Sequence, residues 1–254
     1  ALSMFSVPRL GIQRTKSMPA GQWALKVLPA KNGSSMVMDK FDINMAVAIF
    51  GGTFDPVHYG HIKVASDLAD HLDINSVALM PCGKPTHRPS PAATPSQRLD
   101  MLKLSIVGNQ KLTLEASEID TTTPNYTINS LRRIRSRIGA KETVFLCIGS
   151  DTLSQLDSWH QWTDLTKYCH IVAISRPGLN RRYSSSLRNW IASRRCRDVT
   201  KLKEKPAGFV YHCELSFLDI SSTKIRQKIK KNEALQKLLP KKVLNYIHIN
   251  HLYK

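Results

Sequence analysis

No two cysteines stand close enough to make a CxxC pair. The five, Cys82, Cys147, Cys169, Cys196 and Cys213, are scattered along 254 residues. A disulfide framework is therefore not expected, and an odd, dispersed set suits reduced thiols in the cytoplasm. Hydrophobic residues make up 42% of the chain, yet none of their runs approaches the roughly 18 residues a membrane-spanning helix needs. Acid is also scarce: 19 Asp+Glu stand against 37 Lys+Arg, a formal charge of +18. That balance suits polyanions, either nucleic acid or small phosphorylated ligands, and it also describes a solvated basic surface with no dedicated partner.

Residues 1–44 contain no acid before Asp39, no sustained apolar period and no apolar core of a secretory signal. Gly21, Pro29 and Asn32-Gly33-Ser34-Ser35 interrupt any helix there. This stretch reads as a basic, mobile extension. A transit peptide and translation from an early start are the two other readings. Residues 45–254 read as one domain, long enough to bury a sizeable core.

From Met45 onward, strand-like and helix-like segments alternate. Ala46 to Phe50, Val77 to Met80, Val144 to Ile148 and Ile171 to Ile174 are continuous apolar runs, as strands covered on both faces require. Lys111 to Glu115 alternates like a further strand. Ile62, Ala65, Leu68, Ala69 and Leu72 recur at helical spacing, as do Ile128, Leu131, Ile134 and Ile138. Ser96 is the expected cap of a helix carrying Leu99, Leu102 and Ile106. Further helices are expected from about Lys224 and from about Pro240. Residues 181–205, with nine Lys+Arg, are expected to form a solvated helical insertion. The alternation predicts an α/β fold, a doubly wound parallel sheet with helices at the C-terminal end. Ligands bind such sheets beyond the carboxyl ends of the strands, where Gly51, Gly149-Ser150-Asp151 and Arg176-Pro177-Gly178 fall.

The most specific stretch is GGTFDPVHYGH, residues 51–61. Gly51-Gly52 allows a sharp turn after a buried strand and close approach of a ligand. Thr53 and Asp55 offer local hydrogen bonds, and Pro56 stiffens the chain before a helix that starts near His58 or Gly60. A helix N-terminus carries unpaired N–H groups and partial positive charge, which suits phosphate. His58 and His61, three apart, share a face of its first turn. A zinc pair is disfavoured because no third ligand stands at a sensible spacing.

These eleven residues, with His58-Tyr59-Gly60-His61, resemble the HxGH signature of the nucleotidyltransferase superfamily. From about Met45 to Lys254 the chain is similar to bacterial nicotinate-mononucleotide adenylyltransferases. Pro85-Thr86-His87-Arg88, Ser96-Gln97-Arg98, Pro124-Asn125-Tyr126-Thr127, Ile148-Gly149-Ser150-Asp151, Trp159, Cys169-His170, Arg176-Pro177-Gly178 and Ile220 to Arg226 add to the likeness. The resemblance implies a Rossmann-like sheet and transfer of AMP from ATP to nicotinate mononucleotide, assisted by Mg²⁺. It also implies ATP contacts from Gly51, Gly52, Thr53, Phe54, His58, His61, Gly149, Asp151, Arg176, Ser222, Thr223 and Arg226. Of these, His58, His61 and Arg226 are expected to act on the phosphates. Lys84, His87, Arg88, Tyr126, Thr127, Trp159 and His160 are expected at nicotinate mononucleotide, with Trp159 stacked on the pyridine. No side chain is assigned as a metal ligand; Asp55 and Asp151 are candidates for indirect contact. Thr86 departs from the family, which has a proline there. Relatives that act on nicotinamide mononucleotide or phosphopantetheine, and cytidylyltransferases, share the HxGH motif. A basic nucleic-acid-binding protein is the reading from another class, although no RRM signature or basic-heptad region is present. Self-association is left open.

Overall fold

The computed structural model describes residues 46–84, 90–119, 125–176 and 182–254. His87, Arg88 and Pro85-Thr86, with Pro124, Pro177, Gly178 and the extension of residues 1–44, lie outside the described residues. In chain order the elements are β1 (Val47–Gly52), α1 (Tyr59–His71), β2 (Val77–Pro81), α2 (Pro95–Ser105), β3 (Leu112–Leu114), α3 (Thr127–Ile138), β4 (Val144–Gly149) and α4 (Ser150–Leu153). Then follow 3₁₀ turns at Leu156–Ser158 and Trp162–Lys167, β5 (His170–Ser175), α5 (Ser185–Ala192), β6 (Arg195–Cys196), α6 (Val199–Leu202), β7 (Val210–Glu214), α7 (Ser222–Lys230) and α8 (Lys241–Ile249).

The strands form one sheet in the order β3-β2-β1-β4-β5-β7-β6. Every pairing in it is parallel. The chain winds from β1 out to β3, then returns to start β4 on the other side of β1, so the switch point lies between the carboxyl ends of β1 and β4.

The sheet is covered on both faces because its strands alternate between two cores. Ala48, Leu79, Phe145, Cys147, Val172 and Ile174 pack with residues of α1, α2, α7 and α8. Their neighbours Ile49, Met80, Leu146, Ile148, Ile171 and Ala173 pack with α3, α5 and the 3₁₀ turns. Alternation of side-chain direction along a strand thus turns a continuous apolar run into two separate cores.

Local chemistry accounts for the helix starts, with one correction. The α2 helix is capped by Thr94, not Ser96: the Thr94 hydroxyl accepts from Gln97 N at 3.2 Å, Gln97 Oε1 accepts from Thr94 N at 2.9 Å, and Pro95 is the first helical residue. That reciprocal pair satisfies two otherwise unpaired N–H groups, and proline needs no partner there. A second correction concerns residues 181–205. They are not wholly helical, because β6 interrupts them and extends the sheet beyond β7.

Candidate active site

The residues after β1 turn sharply and enter α1, whose N-cap is His58. Phe54 takes φ 52°, a left-handed conformation that is costly for a residue with a Cβ. It is buried beneath the turn and meets the His61 ring edge-on, with centroids 5.0 Å apart. The space that glycine leaves open is filled by rings of the protein itself. A Cβ at Gly60 would lie 2.9 Å from His58 Nδ1, and one at Gly52 would lie 2.8 Å from the Phe54 ring.

His58 and His61 lie ring on ring, with centroids 3.7 Å apart and planes 24° apart. His58 N donates to His61 Nδ1 at 3.3 Å. His58 is 5% exposed, and its Nδ1 is buried with no hydrogen-bond partner. Burial holds the His58 pKa down to about 4. His61 is pushed well below the usual imidazole value by burial and then by the charge of His58. The pair is therefore neutral at pH 7. Because His61 Nδ1 accepts a backbone N–H, the hydrogen of the neutral ring sits on Nε2.

A second helix start faces this one. The α7 helix is capped by the Ser221 hydroxyl, which accepts from Lys224 N at 3.2 Å. Ser222, its first residue, donates to Pro56 O at 2.9 Å. Arg226, one turn in, donates from Nη1 to Asp55 O at 2.6 Å. The same nitrogen lies 3.8 Å from Asp55 Oδ2. Both bonds tie α7 to the turn that leads into α1.

Between the two helix starts and the ends of β1, β4 and β5 lies a cavity of about 850 Å³, a size suited to a nucleotide-scale ligand. Its lining includes Gly51, Gly52, Thr53, Phe54, His58, His61, Gly149, Asp151, Arg176, Ser222, Thr223 and Arg226. Tyr126, Thr127, Trp159 and His160 line it as well. Trp159 is half-buried, and Tyr126 and His160 stand with ring centroids 4.6 Å apart. The α3 helix begins at Thr127, and its N-cap, Tyr126, supplies no side-chain cap. Arg176 lies over the Phe217 ring at 5.4 Å. Lys84 is not among the lining residues; its backbone N donates to Asn125 Oδ1 at 2.7 Å.

Sequence reasoning named Arg98 and Asp55 but did not give their role in bracing this site. Arg98 is 0% exposed and donates to three carbonyls, Thr53 O at 2.8 Å, Gly83 O at 3.0 Å and Ala93 O at 3.3 Å. Asp55 is 5% exposed and accepts from Ala92 N, Ala93 N and the Tyr253 hydroxyl. A buried arginine in an amphipathic helix carries no periodic signal. The hints were the Ser96-Gln97-Arg98 stretch that adds to the family likeness and the break that Arg98 makes in the apolar face of α2.

A parallel sheet with two helix starts lining one cavity at its switch point is the arrangement of a nucleotide-binding α/β protein. The cytidylyltransferase-like family matches residues 49–228. A protein of Serratia proteamaculans (strain 568), named "Probable nicotinate-nucleotide adenylyltransferase", is 39% identical over 214 residues, covering 84% of this chain and 97% of that protein. One of the same name from Dechloromonas aromatica (strain RCB) is 36% identical over 211 residues, covering 82% and 97%. The chain belongs to the nicotinate-nucleotide adenylyltransferase family. Among solved structures, Plasmodium falciparum nicotinic acid mononucleotide adenylyltransferase complexed with NaAD shares the fold, with a TM-score of 0.62 at 18% identity over 83% of this chain and 98% of that one.

Proposed function

We infer that the chain transfers AMP from ATP to the phosphate of nicotinate mononucleotide, giving nicotinate adenine dinucleotide and pyrophosphate, a step in NAD biosynthesis. One observation carries this reading: the His58–His61 helix start and the Ser222–Arg226 helix start face each other across one cavity that Tyr126, Trp159 and His160 also line. The family narrows the substrate.

An oxygen of the mononucleotide phosphate attacks the α-phosphorus of ATP. The bond from that phosphorus to the bridging oxygen breaks, and pyrophosphate leaves with the electron pair. The nucleophile is already ionised at neutral pH, since a phosphate monoester has its second pKa near ~6. No enzyme nucleophile is needed, and the work is alignment and charge stabilisation. His61 donates from Nε2 to the α-phosphate, and His58 lies stacked beneath it. Arg226, Ser222 and Thr223 grip the β- and γ-phosphates. Gly51, Gly52, Thr53, Phe54, Gly149, Asp151 and Arg176 surround the rest of ATP.

Trp159 stacks on the pyridine, with Tyr126 and His160 beside it. The first N–H groups of α3, at Thr127, receive the carboxylate; an amide offers them no negative charge. Lys84, His87 and Arg88 remain proposed for the mononucleotide phosphate. Mg²⁺, where bound, would supply neutralisation of part of the phosphate charge. Among the described residues no cluster of three or more His, Cys, Asp or Glu could hold a metal ion. Asp55 already accepts three hydrogen bonds, which leaves Asp151 as the carboxylate open to a hydrated ion. A cytoplasmic location is part of the same reading, supported by an odd, scattered set of five cysteines, of which Cys169 and Cys213 are pushed up to about 12 by burial.

The test is pyrophosphate release from ATP and Mg²⁺ with nicotinate mononucleotide, nicotinamide mononucleotide or phosphopantetheine, using the protein and its His61→Ala variant. Release with the acid, weak release with the amide and loss of about 100-fold or more in the variant are expected. Equal use of acid and amide refutes the substrate assignment. Release only with phosphopantetheine moves the protein to another branch of the family.

A further inference from the structure

Asp55 is the point at which four parts of the chain meet. Its Oδ2 accepts from Ala92 N at 2.8 Å, and its Oδ1 from Ala93 N at 3.1 Å. Oδ1 also accepts from the Tyr253 hydroxyl at 2.7 Å. On the other side, Arg226 Nη1 donates to Asp55 O and lies 3.8 Å from Oδ2. The carboxylate that faces Arg226 is thus aimed by three donors, one of which comes from 198 positions along the chain.

Tyr253 is held for this contact by an unusual local arrangement. Its backbone has φ 66°, in the left-handed region that a residue with a Cβ adopts only at a cost. His251, two positions earlier, has φ 52°. The preceding helix α8 packs on α2, where the Tyr246 hydroxyl meets Asp100 Oδ2 at 3.3 Å. The chain after α8 therefore turns back towards the catalytic turn, and Tyr253 is buried there. Burial, and then the charge of Asp55, push the Tyr253 pKa far up, so the group remains an O–H donor throughout the working pH range.

We propose that Tyr253 is a positioning residue for the phosphate-gripping Arg226, acting through Asp55. The phenol O–H holds Oδ1, so that Oδ2 and the Asp55 carbonyl present one fixed edge to the guanidinium. Without it Oδ1 keeps only the longer bond from Ala93 N at 3.1 Å, the edge that Oδ2 presents is held less firmly, and Arg226 loses part of the orientation that two phosphate oxygens require. This inference rests on the reading above that Arg226 grips the β- and γ-phosphates, and it extends that reading to a residue that touches neither substrate nor product.

Tyr253→Phe removes only the hydroxyl. Steady-state kinetics are run in both directions, ATP with nicotinate mononucleotide, and nicotinate adenine dinucleotide with pyrophosphate. The KM values for ATP and pyrophosphate are expected to rise together by about tenfold, the worth of a hydrogen bond to a charged group. Those for the mononucleotide and the dinucleotide should stay within about twofold of wild type. In an Arg226→Lys background the same substitution should have no further effect on pyrophosphate.

Unchanged KM for pyrophosphate overturns the proposal. So does an equal rise for all four substrates, which a merely structural role would produce, or full additivity with Arg226→Lys. If Tyr253→Phe proves unfolded by circular dichroism, 3-fluorotyrosine at position 253 keeps the shape and strengthens the donor. A KM for pyrophosphate that moves while that for the dinucleotide does not then supports the proposal, and no movement overturns it. If the wild-type protein releases no pyrophosphate with nicotinate mononucleotide, the functional reading fails. Calorimetric titration of pyrophosphate into wild type and Tyr253→Phe then decides the inference alone, with about tenfold weaker binding expected and equal binding refuting it.

Discussion

The imidazoles of His58 and His61 stack with 3.7 Å between centroids, and the backbone N–H of His58 closes on the ring of His61. Two bases held this close, one of them with an orphaned buried nitrogen, cannot both be charged in the free protein. The pair is built to be neutral in the free protein.

Stability should consequently fall on the acid side. In the unfolded chain both rings titrate near ~6.5. In the folded protein His58 titrates at about 4 and His61 is also held low. Between these limits the unfolded state binds more protons, so stability is full above about pH 6.5 and declines as the pH falls towards 4. The His58 contribution is on the order of 3 kcal/mol across that window. Urea unfolding at pH 7.5 and pH 5 should show the loss, and His58→Gln should shrink it. An unchanged pH dependence in that variant would remove His58 from the account.

Gly60→Ala separates stability from activity. Alanine favours the helix by about 1 kcal/mol. Its Cβ, however, would meet His58 Nδ1 at 2.9 Å and Cε1 at 3.0 Å, so the ring must leave its stack. The thermal midpoint is expected to stay within a few degrees while kcat falls by about tenfold or more. A variant with wild-type kcat would show that the stacked geometry is dispensable.

Arg98→Met should be among the more damaging single substitutions. It keeps the length and apolar stem but strands the carbonyls of Thr53, Gly83 and Ala93 in a buried place. The expected cost is on the order of 3 kcal/mol or more. Arg98→Lys should recover part of it, because one ammonium cannot copy the three-way fork. Denaturant midpoints of the two variants give the comparison. Equal midpoints for Met and wild type would contradict the bracing role.

The parts of the fold that were legible in sequence are those whose signal is local or periodic. Runs such as Val144 to Ile148 read as buried strands because both faces are covered. β7 passed unnoticed because Tyr211, His212 and Glu214 dilute its apolar character. β6 is two residues long and has no pattern to read. At α2, Thr94-Pro95 and Gln97 held the capping signal, and Ser96 distracted from it.

The same division runs through the site. Sequence alone determined that a strand, a sharp turn and a helix start succeed one another at residues 51–61, because each step depends on neighbours a few positions away. It also determined that a helix would open at about Lys224, two residues after its observed start at Ser222. Only the tertiary structure decided that these two starts face each other, that Phe54 fills the room beside Gly52, and that Tyr253 holds Asp55 from 198 positions away. Contacts of that kind depend on how separate elements pack against the same sheet, and no spacing within any one element encodes them.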